Sequence, residues 1–224
     1  MTSVWYTADT HFTHRMVAEL RGFASSAGHD EVIVANWNAV VGRDDTVWHL
    51  GDVGLGKPAL ILPWAARLNG AIHLITGNHD AVWPGHRDSH KHQREWLEHF
   101  ASVQSFARRK IGGRYVLLSH FPYDGDHTAE DRHRQFRLRD EGTWLLHGHT
   151  HGRERLGQVT LPPVTFGGEG AWRGRQLHVG LDAWDLRPVP QCEVERLIAE
   201  RTALETAAPD MPYLTPLDLS AMNR

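Results

Sequence analysis

The sequence predicts an α/β fold, a β-sheet whose strands are joined by crossover helices. Three observations carry this. Apolar runs rich in β-formers alternate with helical patterns through the N-terminal third of the chain. Each of the first three runs ends in a polar cluster, as expected where the carboxyl ends of parallel strands line one edge. The length, 224 residues, suits one well-buried domain and is short for two.

The elements follow in order. Val4–Ala8 reads as the first strand and ends at Asp9-Thr10-His11. On an extended segment, side chains two apart share a face, so Asp9 and His11 can chelate one ion. Phe12–Leu20 reads as a helix with Thr13 as its N-cap. His29–Val41 reads as an amphipathic helix. Thr46–Leu50 is the second strand and ends at Gly51-Asp52. The glycine-rich Val53–Lys57 lacks the P-loop pattern. Pro58–Leu68 is a helix with proline at its start. Ala71–Thr76 is the third strand, and Gly77-Asn78-His79-Asp80 follows it directly.

Ala81–Lys91 reads as a mobile loop and His92–Phe100 as a helix. Val103–Lys110 and Arg114–Leu118 read as two strands joined at Gly112-Gly113, a hairpin signal. The second ends at His120. Asp124–Glu141 is charged and reads as a solvated loop, or as a phosphate-facing rim. Trp144–His147 is a strand ending at Gly148-His149-Thr150-His151, and Gln176–Gly180 is the last strand. Glu193–Ala208 reads as a surface helix and Pro209–Arg224 as a loosely attached tail. The expected division is a domain over 1–190, then a C-terminal helix and tail over 191–224.

Composition narrows the function. The net charge of -3 argues against a dedicated nucleic-acid surface. One cysteine, Cys192, excludes an intramolecular disulfide and a Cys-rich metal site. Neither a signal peptide nor a membrane span is evident, so a cytoplasmic protein is expected. The chain is rich in histidine, with 17, and several of these join carboxylates in the strand-end clusters. Asp9, His11, Asp52, Asn78, His120, His149 and His151 form a set of oxygen and nitrogen ligands. Such a set suits Mn²⁺ first, with Fe, Zn²⁺, Ni²⁺ or Mg²⁺ as alternatives. Seven ligands exceed what one catalytic ion with an open position takes; they suit two ions sharing a bridging carboxylate.

The order of these motifs resembles the calcineurin-like metallophosphoesterases. D-x-H, G-D, G-N-H-D, a lone His and G-H-x-H all occur in that order, from Asp9 to His151. Compact length and the Asp182-Ala183-Trp184 ending look most like the small stand-alone members of bacteria and their phages, which implies the bacterial or host cytoplasm. The resemblance implies a four-layer α-β-β-α sandwich, two mixed sheets flanked by helices. It implies that Asp9, His11 and His151 hold one metal, Asn78, His120 and His149 the other, and Asp52 bridges them. It makes His79 the general acid over the phosphate, contacting substrate with Asn78, and gives Asp80 the task of orienting His79. Two ions can clamp a phosphoryl group and present a hydroxide for in-line attack.

The protein-phosphatase branch carries an arginine in a G-D-x-x-D-R-G block and ends its third motif in G-N-H-E. Here the stretch is Gly51-Asp52-Val53-Gly54-Leu55-Gly56, and the motif ends in Asp80. The missing bidentate grip on a terminal phosphate favours diesters. The expected activity is a phosphodiesterase on small phosphodiesters or nucleotides, including 2′,3′- or 3′,5′-cyclic nucleotides, without a stable nucleic-acid complex. Trp83, Phe136 and Trp172 are candidates to stack on a base. A single-strand nuclease, a phosphomonoesterase and a non-catalytic scaffold are the alternatives.

Overall fold

The computed structural model describes residues 2–126, 128, 130, 132–156, 164–166, 169–171 and 174–207. The expected tail from Pro209 and the stacking candidate Trp172 lie outside them. The elements are β1 (Val4–Thr7), α1 (Arg15–Leu20), α2 (Ser26–Val40), β2 (Thr46–His49), α3 (Pro58–Ala65), β3 (Ala71–Ile75), α4 (Gln93–Leu97) and β4 (Ser102–Gln104). There follow β5 (Phe106–Ile111), β6 (Arg114–Ser119), β7 (Trp144–His147), β8 (Val164–Phe166), β9 (Glu169–Ala171), β10 (Gln176–His178), β11 (Val189–Pro190) and α5 (Gln191–Ala207).

Two mixed sheets with flanking helices result. The first runs β11-β1-β2-β3-β4 and the second β10-β7-β6-β5, with β8 and β9 as a separate pair. In the first sheet β1 to β4 are parallel and β11 is antiparallel. Strand alternation explains how its two faces are used. Tyr6, Trp48 and Ile75 face one way, into a core shared with Ile111, Val116, Leu118, Trp144 and Leu146 of the second sheet. Val47, Ile72 and Leu74 face the other way, onto Ile33 and Trp37 of α2 and Ile61 and Leu62 of α3. Burying a large apolar side chain stabilises by about 1.5–3 kcal/mol, so alternation sets which face meets which layer.

Three sequence expectations are corrected and a fourth is refined. The helix expected from Phe12 begins at Arg15, capped by His14 Nδ1, which accepts from the Val17 N–H at 3.3 Å. Phe12 instead bridges Gly54 and stacks on Trp64. The strand expected over Val103–Lys110 is two strands in different sheets, β4 in the first and β5 in the second. The loop after Asp80 is anchored rather than mobile, since Val82 and Trp83 are buried. The C-terminal helix lies at the surface but is not loosely placed: its outer face is exposed, while Val194, Leu197 and Ile198 form one apolar stripe buried in the inter-sheet core.

One buried histidine gives the fold an acid limit. His49, in β2, accepts from the Gly51 N–H through Nδ1 and meets the Thr10 hydroxyl through Nε2. Burial pushes its pKa down to about 3, below the unfolded value of about 6.5. The unfolded chain therefore gains a proton between these values and the folded chain does not, so stability falls as pH drops below about 6.5. Denaturant titrations of metal-stripped protein should show wild type losing about 2 kcal/mol relative to His49→Gln between pH 7 and 5. A difference independent of pH would remove His49 from the acid response.

Candidate metal centre

Parallel strands bring the clusters together. β1, β2 and β3 are neighbours in register, with Thr7 beside His49 and His49 beside Leu74. The segments just past them continue side by side: Asp9 N–H donates to Gly51 O at 2.9 Å and His11 N–H to Asp52 O at 3.1 Å. In the second sheet β6 and β7 are parallel, and Gly148 N–H donates to His120 O at 3.0 Å.

The side chains do not converge through the strand pleat, as the two-residue spacing suggested. Asp9, His11, Asp52, His149 and His151 all have left-handed backbone, with φ of 61°, 48°, 58°, 69° and 52°. Asp and His tolerate this region better than most residues. Each such residue still costs on the order of 1–3 kcal/mol, and such strain gathers at functional sites. Glycines supply the close approaches. A Cβ on Gly51 would lie 2.7 Å from His120 Nδ1, and one on Gly77 would strike Asp52 Oδ1 and the Asp52 backbone nitrogen. Gly77 thus lets two loops touch.

Two groups of donors form, Asp9 with His11 and His151, and Asp52 with His120 and His149. In the first, His11 Nε2 and His151 Nε2 are 3.1 Å apart. In the second, His120 Nε2 lies 3.2 Å from His149 Nδ1 and 3.2 Å from Asn78 Oδ1. Asp52 Oδ2 stands between the groups, 3.8 Å from His11 Nε2 and 3.5 Å from His120 Nε2. All seven sequence-predicted ligands are therefore together.

The donor chemistry fits cations. His120 Nδ1 donates to Leu50 O at 2.7 Å, so its Nε2 carries a lone pair. His151 Nδ1 donates to Asp182 Oδ2 at 2.9 Å, so in the neutral ring its Nε2 does too. The lone pairs so fixed on His120 and His151 face other ring nitrogens and carboxylates, a setting that divalent ions would satisfy. Burial drives His11 and His120 down and pushes His149 down to about 2, so these rings are neutral and able to ligate a cation. Burial pulls His151 down as well, but the Asp182 hydrogen bond and the Asp9 charge outweigh it and leave its pKa raised. Burial also pushes the Asp9 carboxyl up to about 7, the mark of a position that needs positive charge beside it.

His79 stands beside Asp52. Its ring is partly exposed, with Nε2 3.8 Å from Asp52 Oδ2, and its N–H donates to Asp52 Oδ1 at 2.9 Å. Asp80 is corrected. Its carboxylate accepts from the N–H groups of Gly77, Val53 and Asp52 at 2.8, 2.9 and 3.0 Å. It ties the third motif to the second, and among the described residues no hydrogen bond joins it to the His79 ring. Trp83 and Phe136 pack on each other at 4.7 Å between centroids, and Trp83 also packs on Phe121.

Several residues escaped the sequence reading. His14 packs against His11 and His79, with centroids 5.1 and 5.7 Å away. Arg21 clamps Asp182 and donates to Asp9 O at 2.8 Å. Burial raises Asp182, but the hydrogen bonds from Arg21 and His151 outweigh it and hold the carboxyl well below its usual range. Asp126 reaches His149 from the far side of the ring. Only His14 had a local signal, as the second histidine of His11-Phe12-Thr13-His14. A cleft of about 470 Å³ opens beside the first group, lined by His14, His79, Met16, Leu20, Thr150 and Arg153 among others.

Residues 3–161 match the calcineurin-like phosphoesterase superfamily domain. The chain is 40% identical over 209 residues to the Gene 66 protein of Mycobacterium phage L5, covering 88% of this chain and 95% of that one. It is 42% identical over 207 residues to the Gene 66 protein of Mycobacterium phage D29, covering 88% and 96%. The structure of a protein of unknown function from Aquifex aeolicus shares the fold, with a TM-score of 0.61 at 23% identity over 88% of this chain and all of that one. With the ligand set complete and the match spanning most of its length, the chain belongs to the calcineurin-like phosphoesterases, metal-dependent hydrolases of phosphoric esters.

Proposed function

We propose that the protein is a dinuclear-metal phosphodiesterase acting on small phosphodiesters, with 2′,3′- or 3′,5′-cyclic nucleotides among its substrates and Mn²⁺ as its preferred ion. The observation that carries this is the wall of the cleft. Met16, Val17 and Leu20 of α1 stand beside His79 and the first donor group. A diester brings an organic group on each side of phosphorus, and an apolar wall takes one of them. The loop after Asp52 supports the same reading. Gly56 stands where the G-D-x-x-D-R-G block carries its arginine, so this position offers no guanidinium to grip a terminal phosphate.

When bound, the two ions supply Lewis acidity to the phosphoryl group and make water nucleophilic near neutral pH. Asp52 holds the two groups in one unit. Asn78 offers its amide oxygen at the second group, and His86 Nε2 donates to its backbone carbonyl at 3.0 Å. His79, partly exposed to the cleft, delivers a proton to the leaving oxygen. His14 holds its lone pair on Nδ1 toward the Val17 N–H, so its Nε2 carries the proton and is a donor. Action in the bacterial cytoplasm, that of the host for a phage-encoded chain, belongs to this reading. Among the described residues no helix is long and apolar enough to cross a membrane.

A substrate panel tests it: bis-aryl phosphate, mono-aryl phosphate, both cyclic nucleotide classes and short single strands, each with Mn²⁺, Mg²⁺, Zn²⁺ and Ni²⁺. Diester and cyclic nucleotide turnover should exceed monoester turnover, with Mn²⁺ the best ion. Monoester turnover far above diester turnover would overturn the substrate class. Salt-sensitive cleavage of single strands in preference to cyclic nucleotides would make the enzyme a nuclease.

A further inference from the structure

We propose that Asp182 and Asp126 are paired positioning carboxylates, each holding the histidine of a different metal: Asp182 orients His151 of the first group, and Asp126 orients His149 of the second. The inference rests on the reading that both groups hold divalent ions.

The two rings are used in opposite senses. His151 turns Nε2 inward to His11 and Nδ1 outward to Asp182, at 2.9 Å. His149 turns Nδ1 inward to His120 and Nε2 outward, 3.4 Å from Asp126 Oδ2. A carboxylate on the outward nitrogen keeps the proton there, leaves the inward lone pair for the metal and strengthens it as a ligand.

The carboxylates are rooted in different parts of the fold. Asp182 receives Arg21 through Nε at 2.9 Å and Nη2 at 2.7 Å. Arg21 also meets His29 Nε2 at 3.0 Å, and His29 meets Asp30 at 2.8 Å, so this support reaches into α2. Asp126 belongs to the segment 122–142 that joins β6 to β7. Its side chain is fully buried, and its oxygens take Arg132 Nη2 at 3.1 Å and Nε at 3.3 Å. Arg137 closes the same segment by donating to Gly125 O at 2.8 Å and Arg132 O at 2.9 Å. The first metal's outer partner is thus tied through Arg21 to the helical layer. The second metal's partner is carried by a loop, so its affinity follows how that loop is seated.

Mn²⁺ binding to metal-stripped full-length protein, measured by calorimetry, tests this in two backgrounds. His149→Ala leaves the first group and His151→Ala leaves the second. In the His149→Ala background, Asp182→Asn should weaken binding by about 10–100-fold and Asp126→Asn should leave it unchanged. In the His151→Ala background the effects should exchange. Arg137→Gln, which loosens the loop without removing Asp126, should act only on the second group. Thermal unfolding of each stripped variant checks that it folds, and Arg137→Gln carries the test if Asp126→Asn does not. Equal loss at both groups, or loss at neither, overturns the assignment. If unsubstituted protein binds no Mn²⁺, the metal reading falls and this inference with it. If it binds two and the carboxylate variants show no selectivity, only this inference falls.

Discussion

Asp52→Asn is expected to abolish metal binding and hydrolysis together. Asp52 stands between the two donor groups, with Oδ2 3.8 Å from His11 Nε2 and 3.5 Å from His120 Nε2. Burial works against its charge, but His120 and His79 outweigh this and hold its pKa down. Asparagine keeps the size and the acceptor that receives the His79 N–H, so the loop keeps its contact and the charge is lost. Breaking a buried charge interaction costs about 3–5 kcal/mol, so affinity for the ions should fall on the order of 10³-fold, and turnover with it. Metal analysis after dialysis reads the first effect, and diester hydrolysis the second. A variant that keeps both ions and loses only rate would show that Asp52 is not the bridge.

His79→Ala is expected to separate metal from rate. The His79 backbone N–H bonds to Asp52, and that bond survives the substitution. The ring contributes no side-chain atom to either donor group. Both ions should therefore remain. What is lost is the proton donor in the cleft, worth roughly 10²–10⁴-fold in rate. The loss should be greatest for a ribose or alkyl leaving group and smallest for an acidic aryl one, which departs without protonation. The comparison is therefore a ratio of leaving groups measured at fixed metal content. Full activity on an alkyl leaving group would end the general-acid role.

The carboxyl ends of β1, β2 and β3 were legible because each combines a β-rich apolar run with one or more metal-ligand side-chain types within a few residues of its end. The hairpin at Gly112-Gly113 was legible for a similar local reason, since both glycines adopt positive φ, 54° and 80°. Other features were misread where a local pattern serves a distant partner. Asp80 sits beside His79 in sequence, but three backbone N–H groups claim its carboxylate. The run Val103–Lys110 reads as one strand, and nothing within it marks Ser105 as the point where the chain passes from one sheet to the other. The C-terminal helix shows few apolar residues, yet those it has form the stripe that the inter-sheet core covers.

By itself the sequence determined the inventory of candidate donors, its order along the chain and its placement at strand ends, because strand formation and donor chemistry are both local properties of short segments. Only the tertiary structure decided how those ligands face one another. It set the left-handed turns at Asp9, His11, Asp52, His149 and His151, the close approach at Gly51 and Gly77, and the outer partners Asp126, Asp182 and Arg21. The physical reason is separation in sequence. Arg21 meets Asp182 across 161 positions and His151 meets it across 31, and a single charged side chain on a loop carries no mark of the partner that packing will bring to it.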